Sequence, residues 1–505
     1  MTTQPFDVLT ATAVDLQLLL QQGKLTSVQI VEIYRQHIEK YNAKLHAIIS
    51  ISSNLRTIAA DLDHERAEGR VRGPLHGIPI IVKDAFNTVR SLGLPTTVGS
   101  LALVESQIPK NATIIDALVQ QGLIILGKTN LTEFCGFKGT GGWSAVGGMC
   151  QSPYIPGGFI PGEKRRGETA PGGSSTGSAM GVAAGFSPIS LGTETSGSLT
   201  SPASRAALYA LKLTNGSVNM EGAWQVAASF DTAGGMAKSA LDLALLSNVL
   251  LRQKEPNRLS LVEALQEGWE GISVGFVDIE LWRLPLDARG HVPGYNEQSA
   301  RDYDDVMNLL RTSGAHVVHP VYITPPEKWL VEGGTDVDDL MDDIMRSQAR
   351  AGCEYYLGTL DDPKITSLQD IIDFNNAHPE KEFDEVFCPN QNALIKAQIM
   401  SMSREDTEKN LNICKQWAAV DGVDKVIKEH GIDVIVAPCD SFFAGVGVAA
   451  QYPLASIPFS YVESSGRPYG LHVIAKANEE DKIIKFMGAW EKTIAPRRIP
   501  DLDAL

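Results

Sequence analysis

Between residues 10 and 65 the apolar positions recur every three or four residues, the period of a half-buried helix. Val31, Tyr34, Ile38 and Tyr41 share one face, and Thr26 or Ser27 stands where a side-chain oxygen can cap the first turn. The first 70 residues therefore read as a helical region. Gly73-Pro74 and Gly77 then break the pattern into a turn. Ile80-Ile81-Val82 follow as a β-branched run, the signature of a buried strand, which Lys83 and Asp84 close. Helical spacing returns at 112–121 and a second apolar run at Leu123–Leu126. Further strand signals lie at 190–193 and at 433–437, the latter after a helix near 421–430. This strand–helix–strand rhythm predicts an α/β sheet.

Two stretches depart from the rhythm. Residues 136–177 are rich in Gly, Ser and Pro and have no period. They lie between two apolar elements, so they read as ordered loops around an active site and not as a linker. The segment GSAMGVAAG that follows, residues 177–185, has side chains small enough for a tightly packed helix, and Ser201-Pro202 carries the N-cap and first-turn signals of another. Residues 253–420 are more charged and include the acidic helical stretch DDLMDDIMRSQARAGCEYY. They read as a variable substrate-side insertion within a single domain spanning residues 1–505.

Composition narrows the classes. The chain has 505 residues, 43% of them apolar, and a formal net charge of −16. That balance disfavours a nucleic-acid surface, which needs clustered cations. The one short basic run, Lys164-Arg165-Arg166, sits between glycines and reads as a solvated loop. The N-terminus MTTQPFDVLT lacks the basic and apolar segments of a signal peptide. No stretch of 18 apolar residues predicts a membrane span. Six scattered cysteines without CxxC spacing read as reduced, mostly buried thiols of a cytoplasmic protein.

Several chemistries drop out. His316 and His319 lie three apart on an expected strand, where they face opposite sides, and no HExxH or Cys/His cluster occurs, so no metal is expected. Neither a P-loop nor a strand-linked GxGxxG is present, and no cofactor is expected. Gly173-Ser174-Ser175-Thr176-Gly177 matches G-x-S-x-G, but the residues before it, GEKRRGETAPG, cannot form the buried strand that a nucleophile elbow at Ser175 requires.

Three separated pieces carry more information together. They are GPLHGIPIIVKD, ending a strand at Lys83; PGGSSTGSAMGVAAG at 171–185; and LGTETSGSLTSPAS at 191–204. In this order they resemble the amidase-signature family. GKTNLTEF at 127–134, GWSAVGG at 142–148 and DTAGGMAKS at 231–239 extend the resemblance, and GTETSGSL with GWSAVGG looks nearest to its peptide-amidase branch. The likeness covers roughly residues 5–250 and resumes near 425–495. It implies an α/β/α sandwich around a large mixed twisted sheet, here expected to be mostly parallel. It also implies that Lys83 is the catalytic lysine, that Ser174 is the serine after a cis peptide bond, and that Ser198 is the nucleophile that forms the acyl-enzyme.

The chemistry suits these residue types. A serine hydroxyl needs a base, and without a motif histidine a neutral lysine must serve. Neutrality near pH 7–8 requires a pKa ~3 below the reference of about 10.4, a cost of ~4 kcal/mol. Burial beside an apolar strand and the positive end of the 177–185 helix are both expected to supply it. Ser174 can accept and donate, so it can relay a proton between Lys83 and Ser198. Backbone N–H groups of Thr195, Ser196, Gly197 and Ser198 are the expected oxyanion hole, with Gly197 allowing a close approach. Ser196, Ala85, Thr200, Leu213 and Gly235 depart from residues common in the family. They leave the substrate and the reaction outcome open.

The expected activity is hydrolysis of a small-molecule or peptide-like amide. Acyl transfer to an amine uses the same three side chains and stays open; a tRNA amidotransferase component or a non-catalytic scaffold fits the motifs and charge less well. Neither nucleic acid nor membrane is an expected partner, and a homodimer is the one assembly kept open.

Overall fold

A computed structural model describes residues 5–164, 166–251, 260–331, 334–361 and 364–505. Its centre is an eleven-stranded sheet. Numbered along the chain, the strands are β1 (Ile48–Ile51), β2 (Pro79–Lys83), β3 (Ile124–Thr129), β4 (Trp143–Ser144), β5 (Gly148–Met149), β6 (Ile189–Glu194), β7 (Tyr209–Lys212), β8 (Thr232–Ala237), β9 (Ser273–Val277), β10 (His316–Val321), β11 (Val434–Pro438), β12 (Leu454–Tyr461) and β13 (Pro468–Ile474). Strands β4 and β5 form a separate hairpin. The others run in the order β1-β3-β2-β6-β8-β7-β12-β13-β11-β9-β10.

The sheet is mixed, as expected, but not mostly parallel. β2 runs parallel to β3 and β6, and β9 to β10 and β11, whereas the neighbours through β6-β8-β7-β12-β13-β11 are antiparallel. Parallel neighbours need long crossovers; β12 and β13 are joined by a short turn that only an antiparallel pair can use.

Both faces are covered. Along β11, Val434 and Val436 enter one apolar layer while Ile435 and Ala437 enter the other, the period-two split of a strand buried on two sides. Helices α1 (Ala13–Gln21), α2 (Ser27–Leu45) and α3 (Leu55–Ala67) make the N-terminal region largely helical. Thr26 caps α2 in a reciprocal capping box with Gln29, and Val31, Tyr34, Ile38 and Tyr41 are buried as the spacing predicts. That region also contributes β1, an edge strand antiparallel to β3 that helical spacing did not reveal.

Helix α4 (Thr113–Gln120) precedes β3, and α5 (Thr176–Ala183) is buried along its whole length. Two positions of α5 admit no side chain: a Cβ on Gly177 would stand 2.3 Å from the Ala47 carbonyl oxygen, and one on Gly181 would stand 2.6 Å from Ile81. Helix α6 spans Thr200–Ser204 and α7 spans Ala240–Leu250. The 421–430 helix is the end of a longer run: Arg404–Lys415 continues through wide turns at Gln416–Asp424 into Lys425–His430. The stretch 253–420, described from residue 260, supplies β9 and β10 as well as the long helix Val337–Leu357. Among the described residues all six cysteines are free and buried, and no helix is long and apolar enough to cross a membrane.

Candidate functional site

Lys83 ends β2, Ser174 precedes α5, and the turn Thr195–Ser198 joins β6 to α6. Because β2 and β6 are adjacent and parallel and α5 packs on both, the three motifs meet at one end of the sheet. The Lys83 side chain is fully buried, and Nζ lies 2.8 Å from both Ser174 Oγ and Thr193 Oγ1. The Gly173–Ser174 peptide bond is cis. Ser174 is held through its carbonyl, which accepts Thr132 N–H at 3.0 Å. One residue on, Ser175 N–H donates to the Ser198 carbonyl at 2.9 Å, tying the two serine-bearing loops together. Ser175 Oγ itself points away, donating to the Thr193 carbonyl at 3.0 Å, so the G-x-S-x-G serine is a brace.

Burial drives the Lys83 pKa below the ordinary lysine value. The adjoining Cys135 thiol and the carboxylates of Asp231 and Glu194 pull it the other way. Desolvation does the lowering, against an acidic background of side chains.

Two carboxylates shape the Thr195–Ser198 turn. Glu194 accepts Leu199 N–H and Thr200 N–H at 2.8 Å each, and Thr200 Oγ–H at 2.9 Å, at the start of α6. A helix with Ser201 as N-cap, starting at Pro202, was expected. It begins two residues earlier, at Thr200 with Leu199 in the N-cap position, and Glu194 and not the Ser201 hydroxyl satisfies the N–H groups there. Asp231 accepts the Thr195 hydroxyl together with Val226 N–H at 2.5 Å and Ala227 N–H at 3.1 Å. Gly197 has φ +72°, a conformation that glycine adopts without strain.

The turn opens on a cleft of about 320 Å³. Its floor includes Gly173, Thr195, Ser196, Gly197 and Ser198. Its walls come from Phe137 and Gly141 in the glycine-rich loop, from Asp338, Met341 and Met345 on the Val337–Leu357 helix, and from Phe442 and Ala444 after β11. Arg166 also lines it, donating to the Ser441 carbonyl at 2.9 Å and lying over the Phe442 ring. Of the basic run read as a solvated loop, Lys164 is exposed, Arg165 lies outside the described residues, and Arg166 is half-buried in the cleft wall. Its flanking glycines gave no sign that the loop folds back on β11.

The family departures fall around this frame. Ser196 is exposed to the cleft, Ala85 is buried and its carbonyl accepts Trp224 N–H at 2.8 Å, and Gly235 leaves room for Leu243 and Leu246 of α7. Sequence reasoning did not assign Thr193, Glu194 or Asp231, although each stands inside a motif that was recognised. Cys135 and Arg166 carried no signal. Among the described residues no three His, Cys, Asp or Glu side chains group to hold a metal, and His316 and His319 are both exposed.

Three kinds of likeness agree with this geometry. The family model described as Amidase matches residues 29–444. A probable amidase of Arabidopsis thaliana is 30% identical over 98% of this chain and 92% of its own length. One component of the glutamyl-tRNA(Gln) amidotransferase of Streptomyces coelicolor is 28% identical over 96% of each. Among solved structures, the native peptide amidase of Stenotrophomonas maltophilia superposes with a TM-score of 0.85 at 28% identity, covering 99% of this chain and all of that one.

Proposed function

The chain belongs to the amidase family, and on that premise we propose that it cleaves its amide through an acyl-enzyme on Ser198, with Lys83 as base and Ser174 as proton relay. It is a hydrolase of carbon–nitrogen amide bonds with a peptide-amidase-like fold. The observation that carries the catalytic assignment is the buried contact between Lys83 Nζ and Ser174 Oγ, 2.8 Å, at the edge of a cleft that Ser198 lines. No other cation approaches Ser174 among the described hydrogen bonds and ion pairs.

With Lys83 neutral, the Ser174 O–H can donate to the Nζ lone pair, and Ser174 Oγ can then accept the proton of Ser198. Ser198 Oγ attacks the amide carbon, and the protons return along the same route to the leaving amine. Water then releases the acid. The turn at Thr195, Ser196, Gly197 and Ser198 offers its backbone N–H groups to the developing oxyanion, with Glu194 and Asp231 fixing its two ends. A cleft of this volume, walled by Phe137, Met341 and Phe442, suits a small-molecule or peptide-like amide. The solved neighbour named a peptide amidase supports the same class. Residues 253–420 supply the substrate-side wall through the Val337–Leu357 helix.

Labelling with a fluorophosphonate tests the assignment. Peptide mapping should find the adduct on Ser198; Ser198→Ala should abolish it, and Ser174→Ala should slow it without moving it. An adduct on Ser174 or Ser175 in the wild type would overturn the choice of nucleophile.

A further inference from the structure

Behind the catalytic turn lies a second, smaller cavity. Arg166, Gly172, Gly197, Ser201 and Ala444 line both it and the cleft, so the two spaces share a wall. Its far side is His472, a central residue of β13 opposite Ser456 of β12 and Ala437 of β11. His472 is 1% exposed, and neither ring nitrogen has a hydrogen-bond partner in the protein. Burial, aided by the Arg166 charge, pushes its pKa down to about 3, so the ring is neutral at working pH. A neutral imidazole has one N–H donor and one lone-pair acceptor. Leaving either unsatisfied in the interior is costly, because the group loses its water without gaining a partner. Two of the other polar groups here are already committed: Asp440 accepts from Arg205 and Tyr295, and Ser441 Oγ donates to the Pro438 carbonyl at 2.6 Å.

The space measures about 20 Å³, enough for one water-sized molecule, which needs about 10–15 Å³ by this measure. We propose that His472 and the backbone around Gly172 and Gly197 form a one-molecule chamber that holds a water next to the catalytic turn and feeds it past Gly197 to the acyl group on Ser198, making His472 a positioning residue for the second half of the reaction. The inference rests on the acyl-enzyme reading. In the step it serves, the water oxygen bonds to the acyl carbon as its proton passes through Ser174 to Lys83. The carbon–Oγ bond then breaks, Ser198 Oγ recovers that proton, and the free acid leaves. The ligand chemistry is that of a small neutral donor-acceptor, which water and ammonia share.

The test is a steady-state and partitioning comparison on an activated ester, for which deacylation limits turnover. His472→Leu removes both ring nitrogens. Its kcat and KM should fall together, about ten-fold, with kcat/KM unchanged, because acylation is untouched. Added hydroxylamine, entering through the open cleft, should capture a several-fold larger share of the acyl-enzyme than in the wild type. His472→Gln, which keeps a donor and an acceptor, should restore kcat. His472→Phe, which keeps a planar ring but neither nitrogen, should reproduce the His472→Leu pattern and serves if that variant does not fold. If ammonium up to 0.1 M slows wild-type deacylation but not that of His472→Leu, the chamber's occupant is ammonia, and the water assignment fails. A fall in kcat/KM at unchanged KM, or an unchanged hydroxylamine share, overturns the proposal. The underlying reading is judged separately: normal fluorophosphonate labelling of Ser198 in His472→Leu keeps the acyl-enzyme intact even if the chamber plays no part.

Discussion

Thr195 donates its hydroxyl to Asp231, which ties the start of the catalytic turn to the Val226–Ala227 backbone on the cleft wall. Burial raises the Asp231 pKa to about 6 from an ordinary 3.8. A carboxyl whose folded pKa is raised adds stability while it is protonated, and that contribution is lost as pH climbs from about 4 through about 6. Asp231→Asn cannot ionise. Its stability relative to the wild type should therefore improve between pH 4 and pH 7.5, by up to ~3 kcal/mol at ~1.4 kcal/mol per pKa unit. Urea unfolding at the two pH values measures this, and a difference independent of pH would refute it. Activity should fall at both, since the Thr195 tether is weakened.

Turnover should depend on Lys83 in a directional way. The active form is the neutral amine, so kcat/KM should rise with pH along a single limb centred below the ordinary lysine value of 10.5. Lys83→Ala should lose several orders of magnitude with circular dichroism unchanged. Lys83→Arg should fail too, because a guanidinium stays protonated. Retention of a tenth of wild-type activity by Lys83→Ala would reveal another base.

Lys138 sits fully buried between Glu133 and Glu382, donating to both. Glu382 also accepts Leu101 N–H at 3.0 Å. Burial and the facing Glu382 carboxylate push the Glu133 pKa up, which Lys138 opposes. Lys138→Met strands two buried carboxylates and should destabilise the fold by ~3–5 kcal/mol, as for other broken buried pairs. Adding Glu133→Gln and Glu382→Gln should recover much of that loss in thermal unfolding. Failure of the triple variant to recover would mean that Lys138 acts through packing alone.

Gly177→Ala tests the packing of α5. The added methyl meets the Ala47 carbonyl and the Asn130 backbone within 2.7 Å. Overpacking of this kind costs ~1–3 kcal/mol. Because α5 starts two residues after Ser174, turnover should drop with stability. A variant as stable as wild type would show that the helix has room to shift.

Much of this architecture could be read from residue order. β2, β3, β6 and β11 appear as short apolar runs because strands buried on both faces cannot alternate. β9, whose run SVGFV is flanked by charge, and β10, whose histidines and proline interrupt the apolar pattern, are edge or near-edge strands and lacked that mark. Lys83, Ser174 and Ser198 were legible as a set because their motifs are local strings in a fixed order. Cys135, Arg166 and His472 were not: each reaches the site from a loop or strand whose neighbours in sequence say nothing about the catalytic turn. The antiparallel half of the sheet was missed because β7, β8, β12 and β13 are short or carry glycine, proline and polar residues that break the apolar run.

The edge pairing of β9 with β11 and β10 with β9 has a consequence for engineering by exchange. The stretch that walls the cleft is not a detachable cassette. A graft that swapped residues 260–420 for those of a relative would carry away two rungs of the sheet and leave Val434 and Val436 with an open parallel edge. Specificity is better transplanted along the Val337–Leu357 helix, whose Met341 and Met345 reach the cleft without belonging to the sheet.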